Sequence, residues 1–296
     1  MAGPDGLAAI ARPSGAFAML ALDQRGSLRT MLRVRYPDGV PDDALPAFKI
    51  DAARALTPEA SAVLLDVESG LAPVGGARAI AQGCGLIVAA DRLIQEPDGP
   101  VESTDVDEAV LADDAVADVA DAYKLLVIWR RDQDVAARAR TVRAFLDGCR
   151  RRGKPGIVEG IVRAAPGDAL GPSEHVELVL AAAAELGAFG PDLYKAEVPT
   201  LGRGDDRAVT AGAERLSATL ACPWVVLSNG TALERFADAA VAACRGGASG
   251  FLAGRAIWLD AIPAAEPRRH LETVARDRLR DLADRVDQAA RPWTMA

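Results

Sequence analysis

The stretch Asp192-Leu-Tyr-Lys-Ala-Glu-Val-Pro199 sets one lysine inside a short apolar run closed by a proline. The run has the length and composition of a buried strand, too short for a helix. A buried ammonium is costly unless it is paired or its pKa is lowered. A buried amine that has lost its proton is the nucleophile that forms an imine with a ketone. A structural ion pair at a strand end is the competing reading. Lysine usage bears on the choice. Lys49, Lys124, Lys154 and Lys195 are the only lysines among 34 Lys and Arg. Arginine serves as well on a surface but cannot form an imine, because guanidinium keeps its proton in proteins. Lys124 and Lys195 both lie within apolar, strand-like runs.

Eight such runs alternate with helical segments: 17–22, 61–65, 86–90, 123–128, 156–162, 193–198, 224–227 and 250–253. The helices between them include 132–152, stopped by Gly153 with Pro155 beyond, 173–187, 208–220 and 233–245, stopped by Gly246-Gly247. Asp42 or Asp43 is placed to cap a helix running through Ala55, and 107–118 reads as one helix. The Pro/Gly/acid-rich stretch 95–105 reads as a loop. Strand-then-helix alternation implies a parallel sheet. Eight units in 296 residues, with no GxGxxG after the first strand, favour an α/β fold closed as a (β/α)8, or TIM, barrel over an open doubly wound sheet. The expected organisation is a single domain over 1–296, with a lead-in at 1–15 and C-terminal helical segments at 259–296.

A barrel of this kind carries its active site at the C-terminal ends of the strands. Those ends hold Asp23, Asp66, Asp91, Lys124, Glu159, Lys195, Ser228 and Arg255. Every second side chain of a barrel strand points inward. Lys195 shares a face with Leu193 and Glu197, Lys124 with Ala122 and Leu126, and Glu159 with Ile157 and Ile161. If these faces point inward, two amines and a carboxylate meet. A second ammonium disfavours protonation of Lys195, and Glu159 can move protons. Rim solvation is the plainer role for Lys124 and Glu159. The turns Ser228-Asn-Gly230 and Gly254-Arg255 follow strands seven and eight, where barrels often bind phosphate on backbone N–H groups, here with a guanidinium to help.

Other classes recede. Net charge is −8 and the pI is about 5.0, which argues against nucleic acid as a partner. No apolar run approaches membrane-spanning length, and residues 1–14 lack signal-peptide features, so a cytoplasmic enzyme is expected. Cys84, Cys149, Cys222 and Cys244 are scattered and read as buried free thiols. His175 and His270 read as surface helix residues, and their spacing suggests no metal-ligand set and no Ser-His-Asp hydrolase. The acid-rich run 102–121 reads as a solvated helix face. No metal and no cofactor is expected.

The segments Leu20-Ala-Leu-Asp-Gln-Arg25, Ala60-Ser-Ala-Val-Leu-Leu-Asp66, Lys124-Leu-Leu-Val-Ile-Trp-Arg130, Asp192 to Pro199 and Gly250-Phe-Leu-Ala-Gly-Arg-Ala-Ile-Trp258 resemble, in order, the class I aldolases related to tagatose 1,6-bisphosphate aldolase. The likeness is strongest to the sulfofructosephosphate branch, since Arg163 follows Glu159 after Ile161-Val162, while Asn229 stands where a small residue is expected. The resemblance implies a metal-free barrel with Lys195 as Schiff-base lysine. It implies roles around the imine for Asp23, Gln24, Lys124 and Glu159, and a phosphate site at Ser228, Gly230, Gly254 and Arg255.

The function expected is cleavage of 6-deoxy-6-sulfofructose 1-phosphate to dihydroxyacetone phosphate and 3-sulfolactaldehyde, with tagatose or fructose 1,6-bisphosphate as alternative substrates. Lys124 is expected to keep Lys195 deprotonated. Arg163 is expected either to serve the far end of the ketose, away from the phosphate loops, or to pair with Asp168. A catalytically silent phosphosugar sensor and a phosphate-binding isomerase are readings from other classes; neither needs Lys195 and Glu159 together. The expected partners are a small phosphosugar and further copies of the chain.

Overall fold

In the computed structural model the described residues are 6–76, 78–96, 99–165 and 170–295. They contain ten strands: β1 (Phe17–Ala21), β2 (Ala62–Leu65), β3 (Gly85–Ala89), β4 (Asp91–Ile94), β5 (Ser103–Val106), β6 (Ala122–Trp129), β7 (Gly156–Val162), β8 (Leu193–Glu197), β9 (Trp224–Leu227) and β10 (Gly250–Ala253). Eight close a barrel in the order β1-β10-β9-β8-β7-β6-β3-β2, and the pairs around it are parallel. These are the eight apolar runs of the sequence, each with bounds within one residue of those expected.

The strands are apolar throughout because both faces are covered. Inward residues such as Phe17, Met19, Leu64, Ile87, Ile157, Leu193, Val225 and Leu252 fill the lower barrel, which Leu7 and Ile10 seal from below. The opposite parity, including Leu20, Val63, Val88, Tyr123, Tyr194, Val226 and Phe251, packs in the layer between barrel and helices. Above the apolar floor the inward parity reaches Lys124, Glu159, Lys195 and Glu197, and Ile128, Ile161 and Leu227 cluster nearer the mouth. Charge therefore enters the interior above the apolar floor, with Glu197 one step nearer the mouth than Lys195, level with Leu227.

The main helices are Ala44–Leu56, Val135–Arg152, Pro172–Gly187, Asp206–Thr219, Leu233–Arg245 and Arg276–Ala289. The second begins where Asp134 accepts from the Ala136 N–H at 2.8 Å and ends at Gly153, whose φ of +64° is a left-handed stop that glycine adopts freely. Three expectations change. The segment 107–118 is two short helices, Glu108–Ala112 and Asp114–Val119, because Asp113 turns extended to cap the second with its own carboxylate. Asp43 precedes the helix at Ala44, but its side chain makes no capping bond. The stretch read as a loop over 95–105 ends inside a β4–β5 antiparallel hairpin. The hairpin's strands are short and mostly half-exposed, so they carry no apolar alternation to read. No helix among the described residues is long and apolar enough to cross a membrane.

Candidate active site

β7 and β8 are paired so that Glu159 stands directly opposite Lys195, and on the other side β7 pairs with β6 so that Leu126 faces Glu159. Lys195 Nζ lies 2.9 Å from Glu159 Oε2, and the same oxygen is 3.4 Å from Lys124 Nζ. Lys124 reaches two more carboxylates, Asp23 Oδ2 at 2.7 Å and Asp91 Oδ2 at 2.8 Å. Asp91 is a hub. Its Oδ2 also accepts from the Leu126 N–H at 3.0 Å, while its Oδ1 and its carbonyl take the Arg25 guanidinium at 2.9 Å each. Lys124 and Lys195 are 1% and 4% exposed, so neither ammonium is satisfied by water and each relies on these oxygens.

Burial alone would push Lys124 down. Asp23, Asp91 and Glu159 overcome it and hold the ammonium well above its ordinary value. Burial would likewise push Asp23 up, but Lys124 and Lys195 hold its carboxyl well below the ordinary range. Lys124 stands in surroundings richer in acid than the sequence suggested. Its charge is matched by three carboxylates, so repulsion between the two ammonium groups is largely cancelled. The group that meets the Lys195 proton is Glu159. A carboxylate shared by two amines is placed to take a proton from one and return it.

The cavity above this cluster has a volume of about 310 Å3 and is lined by Asp23, Gln24, Lys124, Glu159, Lys195, Arg163, Ser228, Asn229, Gly254 and Arg255. Of the residues expected at the site, Gly230 is the exception. It lines an adjoining recess, with its α-carbon packed towards Leu201. Gly254 is required by close approach, since an added Cβ would lie 2.5 Å from the Ala21 carbonyl oxygen. That carbonyl also accepts from Trp258 Nε1 at 3.1 Å, which seats the β10 turn against β1. Gln24 Oε1 is buried with no hydrogen-bond partner, beside the cavity.

At this mouth Arg255 donates to Asn229 Oδ1 at 2.7 Å, and Asn229 Nδ2 donates to Glu197 Oε1 at 2.8 Å. Burial, and then the neighbouring Arg163 guanidinium, lower the Arg255 pKa. Arg163 and Arg255 thus line one cavity close enough for their charges to repel. Asp168, the alternative partner for Arg163, lies outside the described residues. Asn229, unexpected by type, is the link between Arg255 and Glu197.

Other strand ends go elsewhere. Asp66 pairs with the fully buried Lys49 and accepts from the Ser69 N–H at 2.8 Å, so it builds the turn after β2. A wider recess of about 570 Å3 lies on the far side of Arg25 and Asp91, and no lysine lines it. His175 is not a surface residue. It is 6% exposed, with Nε2 3.9 Å from Glu197 Oε2, and burial together with Arg203 and Arg163 lowers its pKa. His270 is half-buried against Asp260 at 3.2 Å. Among the described residues no group of three or more His, Cys, Asp or Glu side chains could hold a metal ion. Sequence reasoning missed the roles of Asp91 and Glu197. The available signal was position, since Asp91 lies two residues past the end of β3, where it opens β4, and Glu197 lies two residues from Lys195 on one face.

The sequence model of the DeoC/LacD family aldolases matches residues 17–260. The tagatose 1,6-diphosphate aldolase of Listeria monocytogenes is 29% identical, over 98% of this chain and 93% of its own length. Tagatose 1,6-diphosphate aldolase 1 of Enterococcus faecalis is also 29% identical, over 84% of this chain and 81% of its own. Among solved structures, the Plasmodium falciparum fructose-bisphosphate aldolase superposes with a TM-score of 0.67 at 14% identity, covering 99% of this chain and 94% of that one. A Schiff-base-forming fructose-1,6-bisphosphate aldolase superposes with a TM-score of 0.61 at 18% identity, covering 96% and 99%.

Proposed function

The chain belongs to the DeoC/LacD family of aldolases, and from that premise we propose that it is a class I enzyme that cleaves a ketose 1-phosphate through an imine on Lys195. The observation that carries this reading is the cross-strand pair of Lys195 and Glu159, 2.9 Å apart in the mouth of the barrel. Lys195 gives its proton to Glu159 and attacks the C2 carbonyl. Glu159 returns its proton to the carbinolamine hydroxyl, which leaves as water to form the iminium, and Glu159 is again a carboxylate. Glu159 takes the C4 hydroxyl proton, the C3–C4 bond breaks, and its electrons pass to the iminium nitrogen as an enamine. The aldehyde leaves. Protonation at C3 and hydrolysis release dihydroxyacetone phosphate and free Lys195, so the atoms balance with water alone. The 1-phosphate sits with Ser228, Gly254, Arg255 and Arg163; Asp23 and Lys124 keep the cluster neutral overall.

Our first choice of substrate is 6-deoxy-6-sulfofructose 1-phosphate, giving 3-sulfolactaldehyde. Past the end of β1, which neighbours β10, the lining includes Arg25 and Ser27, and past β4 it includes Gln95; the Arg25 guanidinium reaches away from β10 to Asp91. Arg25 is already bound by Asp91, which leaves neutral donors and one compensated cation. That suits a singly charged sulfonate better than a phosphate carrying about −1.5 to −2. The second reading, tagatose or fructose 1,6-bisphosphate, is favoured by the 29% identity to tagatose 1,6-diphosphate aldolases.

Two measurements test this. Borohydride added during turnover traps a substrate adduct at Lys195; activity retained in Lys195→Ala sinks the imine. A product assay then ranks kcat/KM across the three sugars. Equal or better cleavage of a bisphosphate moves the enzyme to the second reading.

A further inference from the structure

We infer that Glu197 is a positioning residue for the phosphate end of the substrate: it sets the amide orientation of Asn229, and Asn229 aims Arg255. The inference rests on the aldolase reading above and deepens its anion site.

Glu197 follows Lys195 by two residues on β8, so it occupies the same face one layer nearer the mouth. It is 1% exposed, and both of its oxygens are used. Oε2 accepts from the Val162 N–H at the end of β7 at 2.9 Å, and Oε1 accepts from Asn229 Nδ2 at 2.8 Å. Asn229 Oδ1 then accepts from Arg255 at 2.7 Å. Once ionised, above about pH 7, Glu197 is a carboxylate that only accepts on one side of the Asn229 amide, and a guanidinium that only donates stands on the other. One orientation of the amide satisfies both. The orientation therefore follows from Glu197, two side chains away from the cation it directs.

The arrangement also preserves charge. No carboxylate lies within ion-pair distance of Arg255 among the described residues, so its guanidinium is held in place by a neutral amide. A directly paired acid would have fixed Arg255 equally well and cancelled the charge that attracts phosphate. Set one residue back, the carboxylate orients without neutralising.

Glu197→Gln separates orientation from bulk. A glutamine offers one oxygen and one NH2. The Val162 N–H takes the oxygen, the NH2 turns to Asn229, and the Asn229 amide flips to meet it. Its own NH2 then faces Arg255, donor against donor.

The test, run above pH 7 where Glu197 is ionised, compares dihydroxyacetone phosphate with dihydroxyacetone, which forms the same imine but has no phosphate, by borohydride trapping over a concentration series. Losing one hydrogen bond to a charged group predicts about a tenfold weakening of the phosphorylated ligand in E197Q, with dihydroxyacetone unchanged. The same substitution adds nothing in an Arg255→Ala or Asn229→Ala background. A loss shared equally by both ligands, or a tenfold loss that persists in the R255A background, overturns the inference. If R255A itself leaves both ligands unchanged, the anion site falls and the inference with it. Asn229→Leu, which takes neither hydrogen bond and keeps Glu197, must show the same ligand split should E197Q not fold; equal loss for both ligands there also overturns it.

Discussion

At the level of Lys124 and Lys195, each ammonium has a carboxylate oxygen within 2.9 Å, whereas nearer the mouth Arg163 and Arg255 have no ion pair among the described residues. The inner charges answer one another. Three carboxylates, two amines and the Arg25 guanidinium on Asp91 satisfy their own electrostatics before any substrate arrives, and the Lys195 proton has an acceptor already in contact. The outer cations repel one another and have no such carboxylate partner among the described residues. On the proposed function, the contrast separates chemistry from binding. A group that must pass a proton is best kept in a matched cluster, where small rearrangements move charge at little cost. A group that must attract an anion is best left unmatched, at some expense in stability.

The largest effect that tests this contrast is on the inner cluster. Lys124→Met removes the one charge that Asp23, Asp91 and Glu159 share, and leaves carboxylates buried without it. Breaking a buried pair from one side typically costs about 3–5 kcal/mol. The unfolding free energy in denaturant should fall by that amount, and a loss under about 1 kcal/mol would mean that the cluster is not the matched set described.

The outer cations should respond in the opposite way. Arg255→Ala should weaken the phosphorylated ligand about tenfold to a hundredfold. Its unfolding free energy should stay within about 0.5 kcal/mol of the parent, because no ion pair is broken. Unchanged ligand affinity, or a stability loss as large as that of Lys124→Met, would erase the distinction between the two layers.

The smallest effect is on the pH dependence of stability, and the two layers should differ in sign. Asp23 has its pKa depressed, so the stability it contributes is present above the ordinary carboxylate range and is lost as pH falls through it. Glu197 is pushed up by burial to about 7 from an ordinary 4.5, against the pull of Val162 N–H, Asn229 and Arg163 and with Glu159 adding to the rise. Within that window the folded chain keeps a proton that the unfolded chain has released. Its contribution is therefore complete below about 4.5 and is lost as pH rises towards 7. His175, which faces Glu197 from the helix Pro172–Gly187, is held down by burial and by Arg203 and Arg163, so it adds little positive charge there. In Glu197→Gln the decline of stability across this window should flatten. A slope identical to the parent would mean that Glu197 ionises normally.

The sequence by itself determined the barrel and the inner machinery. Eight apolar runs are eight strands because a strand covered on both faces must be apolar throughout, a local requirement visible in composition. The period of two then assigns Lys124, Glu159 and Lys195 to one interior, as the neighbours Ala122, Ile157 and Leu193 in the apolar floor show. Only the tertiary structure decided which partner each charge would meet. Lys124 finds Asp91 across 33 positions and Asn229 finds Glu197 across 32, distances at which sequence spacing carries no geometry. The same is true of Asp66, drawn off by Lys49, of His175, buried against Glu197, and of Arg163, brought beside Arg255. Alternation settles which face a side chain occupies; barrel closure and loop paths settle who stands beside it, and the electrostatics of the site depend on the second.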